Sequence, residues 1–398
     1  MDALQPTKHF APTELDFFKT SQLPYFQALI AKKEAHISEV AKNVAPFEQV
    51  GILGAGLMGL GIAQKLLAAG INVLLCDISE EKLREAELIL ESTLKNDDRT
   101  LGNLQLTQKM EDLRQCDLII ETIVEELIAK RAVHRELGLL LGPETVVVTN
   151  TSTFPLNTFL LPHQERKSLL AGLHFCHPIT ERKLVEVVLP GKTEQATKLG
   201  ERLFAHVGRL EMLPIVLLDA PSQVVNRLLA FYTNAGIRIV CQGIEPERID
   251  TLAKKLGFLR GPLEQLDGIG LRTSLLAGAN AFQAFRERLE PNRLLIDLVK
   301  RKQFGQHSGA GFYCYQNGKP TGTNPVLLEI LGEANDPVDL SDLEIASELC
   351  ASTLREALLI ATEGNILEPS EIDLASVEGL GFSRERGGLH HLACGING

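Results

Sequence analysis

The chain has 398 residues, of which 44% are hydrophobic and 23% charged, and a formal net charge of −11. That length exceeds one ordinary core and predicts two or three domains. The composition excludes a disordered or fibrous chain, and the acidic balance argues against nucleic acid or an anionic membrane as the main partner.

The N-terminus, Met1-Asp2-Ala3-Leu4-Gln5, has neither the basic nor the apolar region of a signal peptide, and no apolar run reaches membrane-spanning length. The seven cysteines are scattered without a Cys-x-x-Cys pair, which fits reduced thiols and a cytoplasmic location. Up to about Phe47 the pattern is that of a charged helix, with Phe26, Leu29, Ile30, Ile37 and Val40 spaced for one face. From Gln49 onward strand-like runs alternate with amphipathic stretches: Gln49–Leu53, Ile71–Asp77, Leu118–Ile123, Thr145–Thr149, Leu184–Leu189 and Ile215–Asp219. Such alternation predicts a parallel, doubly wound sheet. Strand signals then fade, and Val224–Cys241, Pro246–Leu256 and Leu271–Leu289 read as helices, with a boundary at Asp219-Ala220-Pro221.

The helical part repeats itself. Glu245-Pro246-Glu247-Arg248-Ile249-Asp250 is echoed by Glu368-Pro369-Ser370-Glu371-Ile372-Asp373, and Leu-Gly-Phe follows each, at 256–258 and at 380–382. Two matched elements in register suggest a duplicated helical unit; the plainer alternative is that each is only a helix start. The expected divisions are a helical or linker segment over 1–48, a Rossmann domain over 49–219, a first helical copy over 220–320 and a shortened second copy over 336–398.

Between a β-branched run and a helical one stands Gly54-Ala55-Gly56-Leu57-Met58-Gly59, a G-x-G-x-x-G turn. Gly54 permits the tight turn, Gly56 leaves room for a pyrophosphate, and Gly59 lets helix and strand approach closely. The helix start at Leu57 and Met58 turns unpaired N–H groups to the phosphates. Asp77 ends the next strand, 23 residues after Gly54, where an acid would bond the adenosine ribose and repel a 2′-phosphate. NAD is therefore the expected cofactor.

A second cluster bears on the chemistry: Asn150-Thr151-Ser152 at a strand's C-terminal end, Gly172-Leu173-His174-Phe175-Cys176-His177-Pro178, Lys183–Val188 with Glu186, and Asn226-Arg227. Taken singly each has a plain reading. A His beside Phe is often structural, Ser152 could cap a helix, and Asn226 could be a surface residue. Glu186 is odder, because a carboxylate inside an apolar strand needs a partner. His174, Cys176 and His177 are potential metal ligands, but no further Cys or His group supplies a recognisable fourth, so no metal is expected.

From about Gln49 to Tyr315 the chain resembles the L-3-hydroxyacyl-CoA dehydrogenase family. The resemblance rests on Gly54–Ala63, Glu121–Glu125, Asn150–Ser152, Leu173–Phe175 with Pro178, Lys183–Val187, Asn226-Arg227, Gly261-Pro262, Glu264, Leu266-Asp267 and Gly309–Tyr313. Residues after about 340 resemble the second helical domain of the dehydrogenase part of multifunctional fatty-acid oxidation proteins, without the hydratase domain. The resemblance implies NAD-dependent oxidation of L-3-hydroxyacyl-CoA to 3-ketoacyl-CoA in fatty-acid β-oxidation. It implies that His174 is the general base, that Glu186 holds its second ring nitrogen, and that Ser152 and Asn226 bond the substrate oxygen. It places Glu125, Lys130, Asn150 and His177 beside the cofactor, and an acyl-CoA as substrate. The partners it implies are a second copy of the chain, or enoyl-CoA hydratase and thiolase.

The chain departs from the family pattern at several points. His177 replaces an Asn beside the nicotinamide, where its protonation would weaken binding of the oxidised cofactor. Ser222-Gln223 replace Gly-Phe, and His307 replaces a Lys. The stretch between Asp77 and Asp117 is short for the helical hairpin that grips CoA, with Lys95, Asn96, Arg99 and Thr100 as its remaining polar residues. Two alternatives follow: a dehydrogenase of a small hydroxy acid without CoA, and a weakly catalytic NAD-binding scaffold subunit.

Overall fold

The computed structural model describes residues 21–94, 103–159, 170–291, 293–332 and 338–397. Lys95, Asn96, Arg99 and Thr100 lie outside the described residues. Two compact units divide the chain: a sheet unit, Leu29–Gln223 with Asn365–Leu367, and a helical unit drawn from Met1–Ala28, Val224–Gly364 and Glu368–Gly398.

In the sheet unit, strands β1 (Gln49–Leu53), β2 (Asn72–Cys76), β3 (Leu104–Thr107), β4 (Leu118–Glu121), β5 (Val146–Thr149), β6 (Leu170–Phe175), β7 (Leu184–Leu189) and β8 (Leu213–Leu218) form one sheet. Their order is β3-β2-β1-β4-β5-β6-β7-β8. The crossover after β1 places β2 on one side and β4 on the other. A ligand crevice belongs at such a switch point, beyond the strands' carboxyl ends. Between the strands run α2 (Leu57–Ala68), α3 (Glu80–Thr93), α4 (Leu127–Leu140) and α5 (Glu194–Arg209), while α1 (Leu23–Val40) precedes them in the chain and counts in this unit only from Leu29 onward. β1, β4, β6 and β7 are buried on both faces, and Val50, Ile52, Ile120, Leu173, Val185 and Val187 lie in the core.

The sheet is not wholly parallel. β7 runs antiparallel to β6, and β8 then pairs parallel with β7. The return from β6 to β7 contains no helix, so the chain comes back beside the strand it has just left. The loop carries a cis His177-Pro178 bond. β8 starts at Leu213, earlier than expected, and includes Pro214; an edge strand tolerates a residue without an N–H.

In the helical unit α6 (Val224–Cys241) is followed by α7 (Pro246–Leu256), α8 (Pro262–Ile269), α9 (Leu271–Ala284) and α10 (Arg293–Lys300). A two-stranded sheet, β9 (Tyr313–Gln316) with β10 (Lys319–Thr323), is a strand signal that the sequence did not yield. Then come α11 (Pro325–Gly332), α12 (Asp342–Glu363), α13 (Glu371–Leu374) and α14 (Leu389–Asn397). α12 packs along α6, and Arg227 of α6 bonds Glu356 and, at 2.6 Å, Glu363 of α12.

The repeated hexapeptides take matching positions. Asp250 accepts from the backbone N–H of Leu263 at 3.1 Å and from the Tyr313 hydroxyl at 2.8 Å. Asp373 accepts from the His391 N–H at 2.9 Å and from the Tyr25 hydroxyl at 2.8 Å. Each acid thus serves a helix start downstream of it. Burial pushes both carboxyls up, to about 6 and about 7, against these hydrogen bonds. Phe258 and Phe382 pair as an antiparallel bridge with ring centroids 4.9 Å apart, so the two Leu-Gly-Phe segments meet. No described helix is long and apolar enough to cross a membrane.

Candidate active site

The glycine turn is built as its residue types require. Gly54 has φ +112°, which a side chain disfavours. A Cβ on Gly59 would lie 1.9 Å from the Gly54 carbonyl oxygen, whereas one on Gly56 would meet nothing within 4 Å. Gly59 is therefore needed by the chain itself, and the space at Gly56 is left for something else. Leu57 and Met58 open α2, whose N-terminus has no side-chain cap, so its first N–H groups face outward. Backbone donors, the helix end and the vacant space fit a dinucleotide pyrophosphate. Asp77 is 8% exposed; it accepts from Ala55 N–H at 2.8 Å and from Ser79 N–H at 2.9 Å, tying the turn to the end of β2.

These glycines separate folding from binding. Gly59→Ala should lower the melting temperature and abolish NADH binding together, at a cost of about 1–3 kcal/mol, because the blocking atom is backbone. Gly56→Ala should melt with the wild type yet bind NADH at least about tenfold more weakly, an effect of about 1.4 kcal/mol. Thermal melts beside fluorescence titration distinguish the two.

A second group gathers at the ends of β4 and β5. Glu121 is wholly buried, with Oε1 2.7 Å from Lys130 Nζ and Oε2 accepting from Thr149 Oγ1 at 2.7 Å. His134 Nε2 lies 3.3 Å from the same carboxylate. Burial alone would raise this carboxyl, but the His134 hydrogen bond and the Lys130 charge and hydrogen bond outweigh it and hold it at about 2. Lys130 is 1% exposed and also reaches Glu125 at 3.2 Å. Glu125 in turn accepts from Thr151 Oγ1 at 2.6 Å, Ser152 N–H at 3.1 Å and Thr153 Oγ1 at 2.7 Å. The ammonium expected beside a cofactor is therefore bonded inward, and it acts on the Ser152 loop through Glu125. Glu121 and His134 were not singled out from sequence; the signal available was an acid closing an apolar strand, which needs a partner.

Asn150 Oδ1 accepts from Phe175 N–H at 2.9 Å, joining the end of β5 to the end of β6. One residue back along β6 is His174. The antiparallel register sets it opposite Glu186, and Nδ1 lies 2.5 Å from Oε2. Glu186 is wholly buried and His174 nearly so, at 6% exposed, so the pair lies inside the sheet unit. Cys176 is buried nearby; burial and the Glu186 charge push its thiol well up, against the Arg182 charge. His177 follows, at the cis bond.

Ser222 has φ +63°, a left-handed conformation that favours glycine, so the departure from the family's Gly leaves a side chain in a costly place. Gln223 is buried and donates from Nε2 to the Thr151 carbonyl at 3.2 Å, supporting the Ser152 loop from behind. Its Oε1 is buried with no partner among the described residues. Asn226 lies in the first turn of α6, in the helical unit. His307 sits in the short turn Gln306–Ser308 of the same unit.

The NAD binding domain of 3-hydroxyacyl-CoA dehydrogenase matches residues 49–220, and the C-terminal domain of 3-hydroxyacyl-CoA dehydrogenase matches residues 223–315. The fatty acid oxidation complex subunit alpha of Pseudomonas syringae pv. syringae is 30% identical over 399 residues, which is 94% of this chain and 54% of that protein. The chain thus spans about half the length of the curated relatives it matches. Among solved structures, Mycobacterium tuberculosis FadB2 is 30% identical, with a TM-score of 0.63 over 68% of this chain and 100% of that one. The 3-hydroxybutyryl-CoA dehydrogenase of Escherichia coli K12 shares the fold at a TM-score of 0.74, with 24% identity over 88% of this chain and 92% of that one.

Proposed function

The chain belongs to the 3-hydroxyacyl-CoA dehydrogenase family, a family of NAD-dependent oxidoreductases, and on that premise we propose that it oxidises L-3-hydroxyacyl-CoA to 3-ketoacyl-CoA in fatty-acid breakdown. The observation that carries the reading is the His174–Glu186 pair: a buried imidazole held at 2.5 Å by a wholly buried carboxylate. NAD⁺ supplies the hydride acceptor when bound. The turn at Gly54, Gly56, Leu57, Met58 and Gly59 would hold its pyrophosphate, and Asp77 its ribose, with Asn150 and His177 near the other end. His174 takes the 3-hydroxyl proton on Nε2, and Glu186 fixes the ring by accepting from Nδ1 and stabilises the imidazolium that forms. Ser152 and Asn226 bond the substrate oxygen, and Glu125 and Lys130 fix the Ser152 loop from within.

In this reading the Rossmann part is 49–219, preceded by the segment 1–48, and 220–320 and 336–398 are two copies of the helical part. The partners are an acyl-CoA and either a second copy of the chain or a hydratase and a thiolase, in the cytoplasm. The testing experiment is reduction of acetoacetyl-CoA by NADH, followed by loss of nicotinamide absorbance. Turnover is expected. Turnover of free hydroxy acids alone would shift the substrate away from thioesters, and tight NADH binding without turnover would make the chain a scaffold.

A further inference from the structure

Strand register brings together groups that the sequence keeps apart. A ring nitrogen of His174, Sγ of Cys176 and a carboxylate oxygen of Glu186 lie within 4.8 Å of one another, and all three side chains are buried. The missing ligand in the His174-Phe175-Cys176-His177 string is thus an acid from the neighbouring strand, ten residues past Cys176.

We propose that His174, Cys176 and Glu186 form a binding site for soft divalent cations, such as Zn²⁺ and Cd²⁺, whose occupation switches the enzyme off. A nitrogen, a sulfur and a carboxylate oxygen are donors these ions take, and three protein ligands leave a fourth position for water. Charge balances as well. A divalent ion, a thiolate, a carboxylate and a neutral imidazole sum to zero, so the ion, entering as the thiol proton leaves, cancels the single negative charge that the ionised acid leaves on the free site. Binding releases the thiol proton to solvent; the neutral imidazole keeps its single proton on whichever nitrogen is not coordinated. Arg182, whose charge also acts on Cys176, favours the thiolate but repels the ion. Affinity should therefore fall short of that of a structural zinc site.

Coordination also explains inhibition. Tetrahedral ligands at metal-bond distance stand about 3.3 Å apart, so an ion that takes Nδ1 opens the 2.5 Å contact between His174 and Glu186. The ion then holds the group that carries the proton and removes the hydrogen bond that orients it. The site rests on geometry alone; the inhibition rests on the dehydrogenase reading.

The test is titration of Cd²⁺ into the purified full chain, following thiolate-to-cadmium charge transfer in the ultraviolet. A band saturating at one equivalent is expected. It should vanish in Cys176→Ser and persist in Cys394→Ser, which removes the exposed thiol 3.6 Å from His390 Nε2. Glu186→Gln, which keeps the shape but removes a charged ligand, should weaken Cd²⁺ binding by the same readout. In parallel, Zn²⁺ should inhibit acetoacetyl-CoA reduction reversibly to a chelator. The Cys176→Ser change should raise the inhibitory concentration by more than the roughly 10–100-fold that losing an outer-shell partner costs. No band, or a band unchanged in Cys176→Ser, overturns the site. A chain without turnover that still shows the Cys176-dependent band keeps the site and overturns the dehydrogenase reading; full turnover without that band does the reverse.

Discussion

Replacing His174 by alanine should lower kcat for acetoacetyl-CoA reduction by about 10²–10⁴-fold while NADH affinity stays within about twofold of wild type. In the reductive direction the ring donates the proton that the forming alkoxide needs, and no other described titratable group is placed in that role. Alanine also leaves Glu186 without its 2.5 Å partner, so part of the loss could come from disturbed packing. His174→Gln separates the effects: its amide can still donate toward the carboxylate but cannot carry a proton, and it should lose as much kcat. Glu186→Gln should lose about 10²-fold or more, because a neutral amide neither fixes the tautomer nor stabilises the imidazolium. Retention of about a tenth of wild-type kcat in His174→Gln would remove His174 as the proton carrier.

Why these residues were legible, while their neighbours were not, follows from what each signal encodes. β1 and β7 have the bounds that their apolar runs predict, and α6 and α7 those of their helical periods. β3 was not seen because it is a half-buried edge strand, whose Leu-Gln-Leu-Thr gives little hydrophobic contrast. The reversal at β7 is signalled by the tight turn at His177-Pro178 and not by the strand itself, since a strand buried on both faces reads the same in either direction. Glu186 stood out as an acid in an apolar strand. Its grouping with Cys176 did not, because ligand proximity across a ladder depends on register. Ser222 stood out only as a missing glycine, and its φ of +63° gives the physical meaning of that departure. Lys130 was placed beside the cofactor by the family resemblance alone, and its pairing with Glu121 was not read, because Glu121 looked like one more residue of a buried strand.

That inward pairing sets the second large effect. Lys130→Met should destabilise the sheet unit by about 3–5 kcal/mol, because it leaves Glu121 as a buried carboxylate without its ammonium. Glu121 would keep Thr149 Oγ1, the Ile123 N–H at 2.8 Å and His134, none of which replaces the lost charge. The pH dependence should change sign as well as size. In the wild type the Glu121 carboxyl is held at about 2, below its ordinary value of 4.5. It therefore contributes stability that is complete above about 4.5 and is lost as pH falls through 2. Without Lys130, burial dominates and pushes the carboxyl upward. A folded-state value above the unfolded one makes stability fall as pH rises from about 4.5 toward the new value. Urea midpoints at pH 5 and pH 8 should therefore show the Lys130→Met deficit growing with pH. Adding Glu121→Gln removes the stranded charge and should recover most of the loss and flatten its pH dependence. Equal deficits at both pH values, unrelieved by Glu121→Gln, would mean that Lys130 stabilises the unit through its packed stem and not its charge.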